Sequence, residues 1–349
     1  MELWRSRDKG SGVVQKTLIL PFSQSGEFYM YRSILVPLDG STFAEHALPI
    51  ARSIARRAPA TLQLVSVHVP IAARYVDGTV IFDEVLDNRL KEHERAYLDE
   101  VVKRLSADSN VSLRATLLEG NLGSVADVLN EYATSAQADL IVMATHGRSA
   151  WSRFWLGSVA DKLVRQVLVP ILMVRPSEAG ETQPDLTREQ VFQHLLIPLD
   201  GSSLAEQILE PALVLGQLMQ ADYTLLRVVE PPLPISYPHT EYTTRLEEQL
   251  LNEWKTEAQT YLDSVVERLR TQVKEQGKSP LSIKTKVTIS RYTANSIIEE
   301  ASSQGIDLIA MATHGYGGLT RVVMGSVADK LLRGAPVPIL LRRPQGEAS

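Results

Sequence analysis

The 349-residue sequence contains no cysteine, which excludes disulfides, thiolate metal sites and thiol nucleophiles together and suits a reducing compartment. It has no run of about 18 apolar residues, so no membrane span is expected. Near the start, the apolar stretch 18–22 is too short for a secretory signal, and Ser23, Gln24 and Glu27 follow at once. A cytoplasmic location is the expectation. A basic excess is missing as well: 36 Lys and Arg against 41 Asp and Glu leave a formal charge of −5. Nucleic acid, whose phosphates need clustered cations, is therefore a poor partner. With 44% hydrophobic and 22% charged residues the balance is that of a globular protein, so disorder is expected only at ends and linkers. The length suits about two domains, each able to bury a core.

A repeat organises the chain. Ile34-Leu-Val-Pro-Leu-Asp-Gly-Ser41 recurs as Leu195-Leu-Ile-Pro-Leu-Asp-Gly-Ser202, and Met143-Ala-Thr-His-Gly147 as Met311-Ala-Thr-His-Gly315. In both copies the second motif is followed by nine residues and then Gly-Ser-Val-Ala-Asp-Lys-Leu, at 157–163 and 325–331. A period this long is a duplicated domain rather than a solenoid unit. The expected organisation is a flexible extension at 1–29, domains at 30–176 and 192–343, a linker at 177–191 and a tail at 344–349. The second copy is seven residues longer between its motifs, and the Pro-rich stretch 231–240 is the expected place for them.

Strand and helix patterns alternate within each copy, which predicts a parallel sheet covered on both faces. In copy one, strands are expected at 33–37, 62–69, 111–118, 140–144 and 170–175. Helices are expected at 42–58, opened by a Thr42-x-x-Glu45 capping box and kinked at Pro49, and at 83–105, 125–137 and 158–166. The segment between 69 and 83 reads as a loop. Copy two repeats the pattern, with strands near 193–198, 223–229, 281–289, 308–312 and 338–342 and a long helix near 242–274.

All the repeated motifs fall where strands run into helices, the place at which open α/β sheets bind ligands. Gly147 and Gly157-Ser158, with Gly315 and Gly325-Ser326, fit a phosphate cradle: glycines admit an anion to the backbone, and the next helix presents free N–H groups. The plainer alternative is a turn glycine with a serine N-cap. Asp39 and Asp200 either bind a ribose hydroxyl or a metal through water, or simply shape an Asp-Gly turn. His146 and His314 lack the serine and carboxylate partners of a hydrolytic triad and are expected to order the loop or face solvent. His68 is paired in the alignment with Arg227, which argues against a shared metal site. Glu84, Glu92, Glu94 and Glu100 read as a solvated helix face. No Walker or Rossmann glycine signature is present.

On these residues the chain resembles the universal stress protein family twice over, across about 31–175 and 192–343. The carriers are the two Pro-Leu-Asp-Gly-Ser openings, the Asp-Leu-Ile-x-Met-Ala-Thr-His-Gly strands from Asp139 and Asp307, and the Gly-Ser-Val-Ala-Asp-Lys helices. The resemblance implies two tandem open parallel five-stranded sheets with helices on both faces, of the adenine nucleotide α-hydrolase-like class. It also implies a nucleotide site built on Gly, two residues, Gly, nine residues, Gly and Ser or Thr. Here alanine stands first, as Ala144-x2-Gly147-x9-Gly157-Ser158 and Ala312-x2-Gly315-x9-Gly325-Ser326, so three of four positions match in each copy. Carried over position by position, Pro37, Asp39, Val69, Met143 and Ala144 line the adenosine side of copy one, and Gly147, Arg148, Gly157, Ser158 and Val159 its phosphates. The set in copy two is Pro198, Asp200, Val228, Met311 and Ala312 with Gly315, Gly325, Ser326 and Val327. Arg148, opposite Tyr316, makes copy one the more cationic.

The implied function is a stress-related sensor or regulator that binds ATP, or AMP or ADP, with Mg²⁺ carried on the phosphates. Little or no hydrolysis is expected, because no general base is evident. The alternatives are a pseudo-dimeric scaffold for a protein partner that binds no nucleotide, and a slow ATPase. The last strands are expected to pair within the chain as an internal pseudo-dimer, with further homodimerisation left open.

Overall fold

The computed structural model describes residues 31–70, 72–76, 79–107, 111–120, 124–145, 156–176, 182–231, 241–277, 279–315 and 324–346. The first half runs β1 (Ser33–Pro37), α1 (Thr42–Glu45), α2 (Leu48–Arg57), β2 (Thr61–His68), β3 (Ala72–Val76), β4 (Thr79–Phe82), α3 (Glu84–Ser106), β5 (Ser112–Glu119), α4 (Val125–Ser135), β6 (Leu140–Ala144), α5 (Ser158–Gln166) and β7 (Ile171–Val174). The second runs β8 (His194–Pro198), α6 (Ser203–Glu206), α7 (Leu209–Met219), β9 (Asp222–Val229), α8 (Glu241–Glu275), β10 (Ile283–Ile289), α9 (Thr293–Ser303), β11 (Leu308–Ala312), α10 (Ser326–Gly334) and β12 (Ile339–Arg342).

Each half forms the expected five-stranded parallel sheet, and the two join edge to edge through their last strands into one. Among the described residues it has ten strands in the order β10-β9-β8-β11-β12-β7-β6-β1-β2-β5. Every pairing is parallel except β7 with β12, which meet antiparallel with Leu172 opposite Leu340. Alternate residues of the strands face opposite layers. Ile34 and Val36 join the core under α2 and α3, whereas Leu35 joins the core under α4 and α5. The second half divides its helices in the same way. Asp139 and Asp307, just before β6 and β11, each accept two backbone N–H bonds: from Arg32 and Ser33, and from Gln193 and His194. These carboxylates fix the start of the first strand in each half against the fourth.

Several expectations are corrected. The segment after β2 is not all loop but contains the antiparallel hairpin β3–β4. The capping box at Thr42 does not form: Ser41 is the N-cap, its hydroxyl accepting from the Ala44 N–H at 3.2 Å, and Glu45 turns inward to Arg104 at 2.8 Å. The helix is broken around His46 and Ala47, and Pro49 lies in the first turn of α2, where its missing N–H leaves no hydrogen bond unmade. The extra residues of copy two are not confined to 231–240, most of which lies outside the described residues. The offset between copies is 161 for Val65 and Leu226, 164 for the buried Leu98 and Leu262, 170 for Leu113 and Ile283, and 168 for the buried Ala126 and Ala294. Only three residues are thus gained before Leu262; six more come between Leu269 and Ile283, most of them in the longer end of α8, and two are given back before α9. The described part of the connector is not free: Arg57 meets Glu189 at 2.9 Å and the Gln190 N–H donates to Ser53 at 2.9 Å.

Each half holds a Glu–Arg–Tyr set, its glutamate buried, between the short helix α1 or α6 and the long helix α3 or α8. Glu206 accepts from Arg268 at 2.8 Å and from the Tyr261 hydroxyl at 3.0 Å, and Glu45, Arg104 and Tyr97 are the equivalents in the first half. Burial, and then the neighbouring Glu45 or Glu206 carboxylate, pushes Tyr97 and Tyr261 far above the usual phenol range; burial alone raises Tyr223. These phenols ionise near pH 10 when unfolded. Their stabilisation is complete below that pH and is lost above it, where the unfolded chain holds fewer protons. Urea unfolding followed through alkaline pH should therefore show a midpoint that falls above about pH 10, as the unfolding free energy drops by at most about 1.4 kcal/mol per pH unit for each tyrosine. Tyr97→Phe and Tyr261→Phe should shallow that fall, and a midpoint unchanged beyond pH 10 in the unsubstituted chain would contradict the assignment.

Candidate functional site

In each half the strand order places the first strand between the second and the fourth, so chain connections diverge at its carboxyl end and leave a crevice. The Asp-Gly-Ser turn sits there. The Asp39 Oδ1 accepts the Ser41 N–H at 3.0 Å and its hydroxyl at 2.6 Å, and Asp200 does the same with Ser202 at 2.9 and 2.6 Å. Gly40 and Gly201 take φ of 81° and 85°, a left-handed conformation that favours glycine. The turn therefore caps the next helix while holding one edge of the aspartate at the crevice.

Opposite this turn, α5 and α10 begin. Gly157 and Gly325 are the N-caps, and neither helix has a side-chain cap; Ser158 and Ser326 are the first helical residues and exposed, not N-caps. The N–H groups of the first turn have no carbonyl of their own helix to meet. Gly157 and Gly325 in turn donate to the Thr145 and Thr313 carbonyls at 3.0 and 2.9 Å, which pins each helix start to the end of β6 or β11.

A cavity of about 570 Å³ opens between these parts in the first half. Pro37, Asp39, Val69, Met143, Ala144, Gly157, Ser158 and Val159 all line it; Gly147 and Arg148 lie outside the described residues. The second half has a cavity of about 800 Å³, lined by Pro198, Asp200, Val228, Met311, Ala312, Gly315, Gly325, Ser326 and Val327. Both volumes fall within the range of small-molecule sites. Gly315 is packed so closely that a Cβ built on it would overlap the Asp200 carboxylate, whereas one on Gly157 would meet only the Thr145 carbonyl at 3.5 Å. His314 is buried, with Nδ1 2.9 Å from the Thr313 hydroxyl, on the wall of the second cavity; His146 lies outside the described residues.

Strand register changes one equivalence. Pro37 is opposite Val65 and Pro198 opposite Leu226, so Val228 corresponds to Val67, and Arg227 to Ser66. The counterpart of His68 is Val229. Val67 lines the first cavity beside Val69, so the apolar wall is shared although the numbering pair differs.

A feature that pattern reading missed is the environment of His68. Its ring is buried, with Nε2 2.8 Å from Asp87 and Nδ1 2.8 Å from Glu94. The two carboxylates thus bracket both ring nitrogens. Glu94 is thus a wall of the first cavity rather than part of a solvated face, while Glu84, Glu92 and Glu100 are exposed. The hydrogen bond from His68, and then that from Lys91, holds Asp87 below the usual carboxylate range. Lys91, raised by the same pairing, also meets Glu119 at 3.1 Å. The signal in the sequence was faint, because the two carboxylates lie 19 and 26 residues away on another element. Among the described residues no group of three or more His, Cys, Asp or Glu is arranged for a metal ion.

The chain is thus a duplicated three-layer α/β protein with a crevice at each switch point. Comparison with known proteins specifies the family: the universal stress protein family model matches residues 30–175 and 192–343, and the chain belongs to that family. A universal stress protein of Mycobacterium tuberculosis is 25% identical over 247 residues, 68% of this chain and 72% of that protein. One from Methanocaldococcus jannaschii is 31% identical over 150 residues, 42% of this chain and 83% of that protein. The crystal structure of a universal stress protein from Archaeoglobus fulgidus covers 90% of this chain and 99% of its own, with a TM-score of 0.60 at 16% identity, and shares the fold.

The contact between Gly315 and Asp200 makes a contrast testable. Gly315→Ala should cost about 1 to 3 kcal/mol, since the carboxylate and its cap must move. Gly157→Ala should cost less than about 1 kcal/mol, the difference in N-cap preference alone. Denaturant midpoints of the two variants decide, and equal losses would contradict the close packing of Gly315.

Proposed function

We propose that this chain is a stress-related sensor or regulator that binds ATP, or AMP or ADP, at one or both switch-point cavities, with domains spanning 30–176 and 192–343. The observation that carries the proposal is the convergence, twice over, of an apolar wall, a fixed aspartate and an uncapped helix N-terminus on one cavity. Pro37, Val67, Val69 and Met143 form a wall suited to adenine in the first half, and Pro198, Val228 and Met311 do so in the second. Asp39 and Asp200 are suited to a ribose hydroxyl. Backbone N–H groups and the hydroxyls of Ser158 and Ser326 are suited to phosphates, favoured by the positive end of the helix dipole. Mg²⁺ would arrive on the phosphates.

The methyl groups of Ala144 and Ala312, where the family motif has glycine, already form part of the cavity walls. Space for a ligand remains with them in place, which favours binding over a purely scaffolding role. Turnover is not part of the proposal. The carboxylates on the two walls have other work: Asp39 and Asp200 hold the serine caps, Glu94 holds His68, and Asp329 holds Arg333 at 3.0 and 2.9 Å. A carboxylate so engaged is a poor base for water.

Calorimetric titration of nucleotide-stripped protein with ATP and Mg²⁺, with GTP as the control, tests the proposal. Ser158→Ala and Ser326→Ala should each remove a hydrogen bond to a charged group, about 1.5 to 3 kcal/mol, or on the order of ten- to a hundred-fold in affinity at one site. Absence of both binding heat and a ligand-induced thermal shift would favour the scaffold role.

A further inference from the structure

The second cavity is not built from the second half alone. Arg165, on α5 of the first half, lines it together with Ser326, Val327 and Asp329 at the start of α10. The reason lies in the sheet. Antiparallel pairing of β7 with β12 brings the layers that carry α5 and α10 together about a local two-fold relation. Arg165 is held there by its own helix: Nε and Nη2 donate to the two oxygens of Asp161 at 2.9 Å each. The other edge of the guanidinium carries the Nη1 donors, a planar pair whose geometry matches phosphate oxygens. The arrangement is not reciprocal. Arg333 occupies the same helical position in the second half, yet the described residues lining the first cavity include neither it nor any other Arg or Lys. Among the described residues, the charged or titratable groups on that wall are Asp39, Glu94 and His68.

We infer that Arg165 is a specificity-determining residue acting across the internal junction, reaching the phosphate end of a ligand in the second cavity and selecting nucleotides over nucleosides there. The inference rests on the nucleotide-binding proposal and goes beyond it. It assigns one cation of the second site to the first domain, so that site is complete only when β7 and β12 are paired.

The test uses the full chain and follows the component of the binding isotherm that Ser326→Ala weakens. ATP with Mg²⁺, AMP and adenosine are titrated into the unsubstituted protein and into Arg165→Ala, Arg165→Lys and Lys162→Ala. Lys162 is on the same helix, pairs with Asp127 at 2.7 Å and does not line the cavity, so it controls for general charge. Arg165→Ala should weaken ATP about ten-fold, as expected for loss of a charge-assisted contact, and adenosine less than about two-fold. Arg165→Lys should recover part of the ATP affinity, and Lys162→Ala should change none of the ligands. Unchanged ATP affinity in Arg165→Ala, or equal losses for ATP and adenosine, would overturn the inference while leaving nucleotide binding standing. Failure of the unsubstituted chain to bind any of the three would overturn both. If Arg165→Ala does not fold, Arg165→Lys against the unsubstituted protein still decides, through the ratio of ATP to adenosine affinity.

Discussion

The pairing of β7 with β12 is the contact on which the rest of the molecule depends. Each half alone would end in a short strand whose outward N–H and C=O groups had no partner. Leu172 and Leu340 are fully buried at this seam, and the antiparallel ladder satisfies both edges at once. The outer edges, β5 and β10, are treated differently. They carry Arg114, Glu119, Lys284 and Lys286, and charge of this kind discourages further strand addition. The sheet therefore has one edge type built to pair and another built not to.

Much of this was legible in the sequence because two periods and a repeat pointed the same way. β6 and α5 are found at the expected residues, 140–144 and 158–166, since an apolar run bounded by Asp139 and a Gly-Ser helix start leaves little freedom. The hairpin β3–β4 was missed although its sequence holds a signal, Tyr75-Val76-Asp77-Gly78-Thr79-Val80, an Asp-Gly pair between β-formers. The capping box failed for a tertiary reason: Glu45 had an arginine on α3 to reach, and Ser41 stood one residue earlier to cap the helix. Pairing Val69 with Val228 failed because sequence similarity at the strand ends, His-Val against Arg-Val, outweighed register, which only backbone pairing reveals.

The residues that converge on the two cavities were legible as a set because duplication preserved their order and spacing. The residues that make the cavities unlike were not. His68 with Asp87 and Glu94, and Arg165 beside Ser326, are contacts between elements far apart in the chain, and nothing in local pattern marks them. Arg148 had suggested that the first site is the more cationic; it lies outside the described residues, and among those described the arginine belongs to the second cavity.

Duplication thus kept a frame and changed its charges. The frame is what the two halves share: aspartates clamping the first strand, the Asp-Gly-Ser turn, the Glu–Arg–Tyr set and the Gly-Ser helix start. Each of these sets backbone position, and a change in one would move the crevice itself. The walls obey a looser constraint. Replacing Val229 by histidine at the equivalent place, with two carboxylates on the facing helix, leaves the strand register untouched and changes only what the cavity presents. Because α5 and α10 meet across the seam, a wall can also borrow a side chain from the other half without altering either fold. Two cavities on one sheet can in this way diverge in charge while the scaffold that positions them stays the same.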